Sequence, residues 1–144
     1  MAKSKDRIMW LEKYDHYYRF HHLFSTMKCI YCGQPKQHID HTPPLSWVDA
    51  NGSDYFIKNQ IPFYKVPSCK DCNVILGDKP FFTIRQRKGY VAATLRERFA
   101  KELQNPMWDS EEMYALGDTL RSYIDVMQGS RLVLERRLDY ATSD

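Results

Sequence analysis

Cys29-Ile30-Tyr31-Cys32-Gly33, then His38-Ile39-Asp40-His41-Thr42-Pro43-Pro44, then Val66-Pro67-Ser68-Cys69-Lys70-Asp71-Cys72-Asn73: the reading of these three blocks decides the fold. The outer two hold Cys-x-x-Cys knuckles, which use all four cysteines of the protein. Two residues between thiolates let one tight turn present both sulfurs to a single ion. Two such turns close a tetrahedral shell of four thiolates, Cys29, Cys32, Cys69 and Cys72, the arrangement that structural zinc prefers. A closed shell leaves no open ligand position. The zinc is then a staple, and the chemistry lies in what it holds together. Disulfides and a thioredoxin-like redox pair fit less well, because no secretory signature accompanies the cysteines and two distant knuckles are not one redox motif.

Composition bounds the rest. The chain has 144 residues, enough for one domain with a modest core. It carries 21 Lys and Arg against 18 Asp and Glu, so a formal charge of +3 does not by itself point to nucleic acid. The basic residues cluster after the second knuckle, from Lys79 through Arg85, Arg87 and Lys88 to Lys101. No apolar stretch approaches the length of a membrane span, and the charged opening Met1-Ala2-Lys3-Ser4-Lys5-Asp6-Arg7 lacks the apolar segment of a signal peptide. The expectation is a cytoplasmic protein without membrane contact.

The periodicity predicts an α+β chain in three parts within a single domain, 1–144. An aromatic-rich amphipathic helix is expected over about Asp6 to Phe24, with His16, His21 and His22 as surface or packing residues. The middle, about 27–79, reads as strand (Gln37 to Asp40), loop, strand (Pro62 to Pro67) and short helix (Lys70 to Leu76), a ββα unit. Pro43-Pro44 should end the first strand and disfavour an immediate helix, Asn51-Gly52 is hairpin-turn chemistry, and Gly77 stops the short helix. From about Thr83 to Tyr140 about three helices are expected. Thr83 with Gln86 forms a capping box, Asn105-Pro106 breaks the first helix, Asp109 starts the second, and Gly129 separates it from a last one over about Arg131 to Tyr140. The apolar stripes of these helices pack on one another and on the zinc module, with a protein partner or a homodimer as the alternative use.

The order of the motifs, Cys-x-x-Cys-Gly, Asp-His-x-x-Pro and Val-Pro-x-Cys-x-x-Cys-Asn, resembles the four-cysteine, zinc-stabilised branch of the HNH endonuclease superfamily. The likeness covers the central third of the chain and leaves both helical flanks unassigned. It implies a ββα-metal fold that hydrolyses phosphodiester bonds of DNA with one divalent ion. On that resemblance His41 is the general base, Asp40 a ligand of the catalytic ion, and Asn73 the second ligand or its support. The residue types suit the chemistry. A neutral imidazole takes a proton from water near neutral pH, and Mg²⁺ or Mn²⁺ favours carboxylate and amide oxygens. His38, on the same strand face as Asp40, reads first as a packed residue, with a further ligand or a phosphate contact as the alternative. Lys79, Arg85, Arg87 and Lys88 are expected to hold the DNA backbone. So compact a chain suits a phage or mobile element.

Two positions depart from the family's pattern. Tyr64 stands where an asparagine often orients the base histidine, with Asn51 and Asn59 as the candidates for its role. Leu76 stands where a lysine is common. The alternative expectation is therefore a catalytically inactive zinc-stapled module that binds nucleic acid or a protein.

Overall fold

A computed structural model describes residues 4–104 and 107–143, with the side chain of residue 4 outside the description. The order is α1 (Ser4–Tyr14), β1 (Arg19–Phe20), β2 (His38–Thr42), α2 (Leu45–Asn51), α3 (Ser53–Lys58), β3 (Tyr64–Ser68), α4 (Lys70–Leu76), α5 (Ile84–Arg98), α6 (Ala100–Gln104), α7 (Ser110–Tyr114) and α8 (Asp118–Thr142). The fold is α+β, with a small three-stranded sheet among helices. Strand order is β1-β3-β2, with β2 antiparallel and β1 parallel to the central β3. In register, Asp40 lies opposite Val66 and His41 opposite Lys65.

Strand β2, strand β3 and helix α4 form the expected ββα unit, with β2 running two residues past Asp40 to Thr42. Pro43-Pro44 does end β2, yet α2 starts at once, with Pro44 (φ −59°) at its N-cap. The correction has a simple cause. The fixed φ of proline suits entry into a helix, and the cap position needs no helical backbone N–H. Asn51-Gly52 makes no hairpin either. Gly52, at φ +85°, joins α2 to α3.

The N-terminal helix is shorter than its aromatic spacing predicts. It stops at Tyr14; a 3₁₀ turn (Asp15–Tyr17) follows, and the chain then extends along the free edge of β3. The backbone N–H groups of Arg19 and His21 donate to the carbonyls of Phe63 and Lys65 at 3.2 and 3.0 Å. An exposed strand edge offers unpaired backbone groups, and pairing with it outcompetes continued helix here.

The core consists of two apolar clusters. One joins the cysteine knuckles to α4, α5 and the end of α8 through Ile30, Tyr31, Val66, Leu76, Leu95 and Leu138. The other joins α1 to α2 and α3 through Tyr14, Tyr18, Leu45, Val48, Phe56 and Phe63. The capping box at Thr83 forms as expected, and Asp109 caps α7. The break expected at Asn105-Pro106 lies outside the described residues. Gly129 does not end a helix: α8 runs through it for 25 residues and joins the later part of the second expected helix to the last one, while the turn started by Asp109 stands apart as α7, with Gly117 at the N-cap of α8. A mid-helix glycine costs about 1 kcal/mol, which the packing of Leu134, Leu138 and Ala141 offsets. The stripe of Leu116, Leu120, Tyr123, Ile124 and Met127 packs less than expected, leaving Leu120 and Tyr123 exposed.

Candidate metal centre and active-site cleft

The four cysteines converge. All are buried, and their sulfurs lie within 4.8 Å of one another, with Cys32 and Cys69 Sγ 3.6 Å apart. Tetrahedral zinc, with bonds of about 2.3 Å, spaces its sulfurs by about 3.8 Å. The set therefore suits a thiophilic tetrahedral ion. Four thiolates crowded this closely repel one another. Such a cluster is stable as thiolates only around a positive ion.

Local backbone geometry shapes the knuckles. Gly33 closes the first at φ +77°, and a Cβ there would lie 2.9 Å from the ring of Tyr140 on α8. Both the dihedral and the close approach require glycine. In the second, Cys69 caps α4, its sulfur accepting from the Cys72 N–H at 3.4 Å. Asp71, between the two cysteines, accepts from Arg98 of α5 and Arg137 of α8 at 3.2 and 2.8 Å. The same Arg137 Nη2 lies 3.8 Å from Cys72 Sγ, so the C-terminal helices grip the ligand turn from outside.

The first knuckle also reaches Asp40. The Tyr31 hydroxyl donates to Asp40 Oδ2 at 2.6 Å and accepts from Arg87 Nε at 3.0 Å, while Arg87 Nη2 donates to the same Oδ2 at 2.7 Å. Burial would lower the pKa of Arg87, but the neighbouring Tyr31 and Asp40 outweigh it and raise it. Burial, then Asp40, pushes the Tyr31 hydroxyl well up, so it stays protonated and donates. Asp40 Oδ1 makes no hydrogen bond to a described residue.

Adjacent residues of a strand face opposite ways. Asp40 turns toward Tyr31 and Arg87, and His41 toward the N-terminal segment. There the His41 ring packs edge-on against Tyr18, and Nε2 lies 3.4 Å from Asp15 Oδ1. Asp15 Oδ2 in turn accepts from Lys65 Nζ at 3.0 Å. Burial lowers the pKa of His41, Asp15 opposes the shift and Arg7 adds to it, so the imidazole is neutral near pH 7. The other ring nitrogen, Nδ1, is buried without a partner among the described residues, as is Trp10 Nε1.

His38, Asp40, His41 and Asn73 line one cleft of about 480 Å³, to which Arg7 and Trp10 of α1 also contribute. Asn73 is exposed on α4. Hard oxygen donors thus border the cleft beside a neutral imidazole, which fits a hydrated divalent cation.

The expected DNA contacts fare differently. Arg87 is only 1% exposed and committed to Asp40, so it is no part of a basic surface. Lys79 Nζ donates to the carbonyl of Ile75 and sits over the Tyr90 ring. Lys88 Nζ donates to the carbonyl of Ser143. Arg85 is exposed and, with Lys88, Arg96 and His21, lines a groove of about 1050 Å³ between α5 and the end of α8. Tyr64 accepts from Arg19 and stacks edge-on with His21, and Leu76 is core. Asn59 donates to the carbonyl of Tyr55, and neither it nor Asn51 bonds to His41. That position belongs to Asp15, which periodicity alone had assigned to a longer helix.

Comparison with protein-family models, with curated proteins and with solved structures finds no match. Among the described residues no helix is long and apolar enough to cross a membrane.

Proposed function

We propose that the protein is a metal-dependent endonuclease of HNH type that hydrolyses phosphodiester bonds of DNA. The reading rests on one observation: Asp40, His41 and Asn73 line a single cleft on a ββα unit whose ends meet at the four-cysteine cluster. Zinc, held by Cys29, Cys32, Cys69 and Cys72, serves as the structural ion. Asp40, through Oδ1, and Asn73 would hold Mg²⁺ or Mn²⁺, which supplies neutralisation of charge developing on the phosphate oxygens. His41, neutral because it is buried, takes a proton from the attacking water. Tyr31 and Arg87 fix the Asp40 carboxylate by occupying its other oxygen. Arg7 at the cleft wall offers a cation to the substrate phosphate, and Arg85, Lys88 and Arg96 offer a groove to the flanking backbone.

A second reading draws on Arg87. Its buried guanidinium already compensates the Asp40 charge, as in a module that keeps the frame and binds DNA or a protein without cutting. Nicking of supercoiled plasmid by the zinc-loaded protein decides between them. Cleavage that appears only on addition of Mg²⁺ or Mn²⁺ supports the nuclease, and DNA binding without cleavage under either ion supports the module.

A further inference from the structure

We infer that Asp15, held by Lys65, is the positioning residue that fixes the His41 ring with its proton on Nε2 and its lone pair on Nδ1. The inference rests on His41 being the base of the proposed hydrolysis, and it concerns which nitrogen does that work. Three observations carry it. Asp15 Oδ1 faces Nε2 at 3.4 Å, a long contact of the kind that tightens when a substrate orders a site. A carboxylate is acceptor-only, so it selects the tautomer that carries hydrogen on the nitrogen it faces. Nδ1 has no partner among the described residues and is buried, while His41 itself lines the cleft with Asp40 and Asn73.

The other groups around the ring leave this role to Asp15. Tyr18, edge-on to the ring, commits its hydroxyl to the carbonyl of Pro43. Arg7 is a cation and cannot accept from Nε2–H. Asp40 commits Oδ2 to Tyr31 and Arg87. Lys65 sits opposite His41 in the strand register and ties down the second Asp15 oxygen, so both ends of the relay stand on the β2–β3 pair. Asp15 comes from the turn just before β1, whose pairing with β3 sets its place. The N-terminal segment is thus part of the site and more than a flank.

Asp15→Asn makes a sharp test because Lys65 would retain the amide oxygen and turn the NH₂ toward His41. An N–H donor facing Nε2 drives the ring proton to Nδ1, the wrong tautomer for a base that uses Nδ1. Ring ¹⁵N chemical shifts at pH 8 report the tautomer directly, with the His41 signals among the five histidines assigned by their loss in His41→Gln. The expected result is Nε2–H in the wild type and Nδ1–H in Asp15→Asn, with kcat for plasmid nicking lower by about 10²–10⁴-fold and KM unchanged. A wild-type ring protonated on Nδ1, or a tautomer indifferent to Asp15→Asn, overturns the inference. Shifts as expected in a wild type that never cleaves DNA support the Asp15–His41 pairing and overturn the hydrolase reading instead.

Discussion

Arg87 Nη2 stands 2.7 Å from Asp40 Oδ2, inside a protein wall that leaves Arg87 almost no exposure. The pair joins α5 to β2, and Tyr31, seated between two cysteines of the cluster, completes it. Breaking a buried pair by removing one member leaves an uncompensated charge, which costs about 3–5 kcal/mol. Arg87→Ala should therefore destabilise the protein by that amount in urea unfolding. The exposed Arg85→Ala should change stability by no more than about 0.5 kcal/mol. Equal effects of the two substitutions would mean that the pair carries no structural weight.

Metal removal should act on the cleft as well as on stability. The four-cysteine cluster should bind one zinc per chain, and a structural site of this kind contributes on the order of 10 kcal/mol to folding. Elemental analysis should give a zinc to protein ratio near one, and strong chelation should lower the melting temperature steeply. Because Tyr31 links the first knuckle to Asp40, loss of zinc should also disorder the cleft. A metal-free preparation that melts like the untreated protein contradicts this.

The buried His41 gives stability an acid-side slope. Its folded pKa is depressed below the ordinary value of 6.5, mainly by burial. Above 6.5 both folded and unfolded chains hold the ring neutral, and full stability is present. As pH falls, the unfolded chain binds the proton first, so stability drops until the folded pKa is passed. Urea midpoints taken between pH 8 and pH 5 should fall for the wild type and fall less for His41→Gln. Identical slopes in the two proteins would place the titrating group elsewhere.

Much of this was legible in the sequence, for physical reasons that can be named. The Cys-x-x-Cys spacing located the knuckles because ligand geometry tolerates few alternatives, and the ββα unit followed from the residues around them. Gly77 and the Thr83–Gln86 box marked helix ends because they act through the local backbone. Two misses are local, Pro44 at the start of α2 and Gly52 between α2 and α3, and the others are tertiary. Arg87 reads as one of a basic cluster until α5 folds against Asp40, and nothing in its neighbours' sequence reveals that partner. Asp15 lies 26 residues before His41, and only the parallel pairing of β1 with β3 brings it there. Gly129 reads as a stop where long-range packing of α8 carries the helix through. A faint signal did exist for Asp15: an acidic residue in an aromatic run that would otherwise be a featureless helix face.

The phosphate groove can be tested by salt dependence. Each neutralised phosphate on duplex DNA adds about 0.9 to the slope of log affinity against log salt. Arg85→Ala together with Arg96→Ala should weaken DNA binding about equally across sequences and lower that slope by about 1 to 2. An unchanged slope puts the DNA path on another face.

The central claim is that His41 is the base of a hydrolytic site and not a brace of the fold. The most direct measurement is nicking of supercoiled plasmid with added Mg²⁺ or Mn²⁺ by wild type and His41→Ala, matched for zinc content and DNA affinity. The account predicts that cleavage falls by about 10²–10⁴-fold in the variant while zinc content and DNA affinity stay near wild type. Cleavage by His41→Ala at the wild-type rate, or loss of zinc and of the fold in that variant, contradicts it.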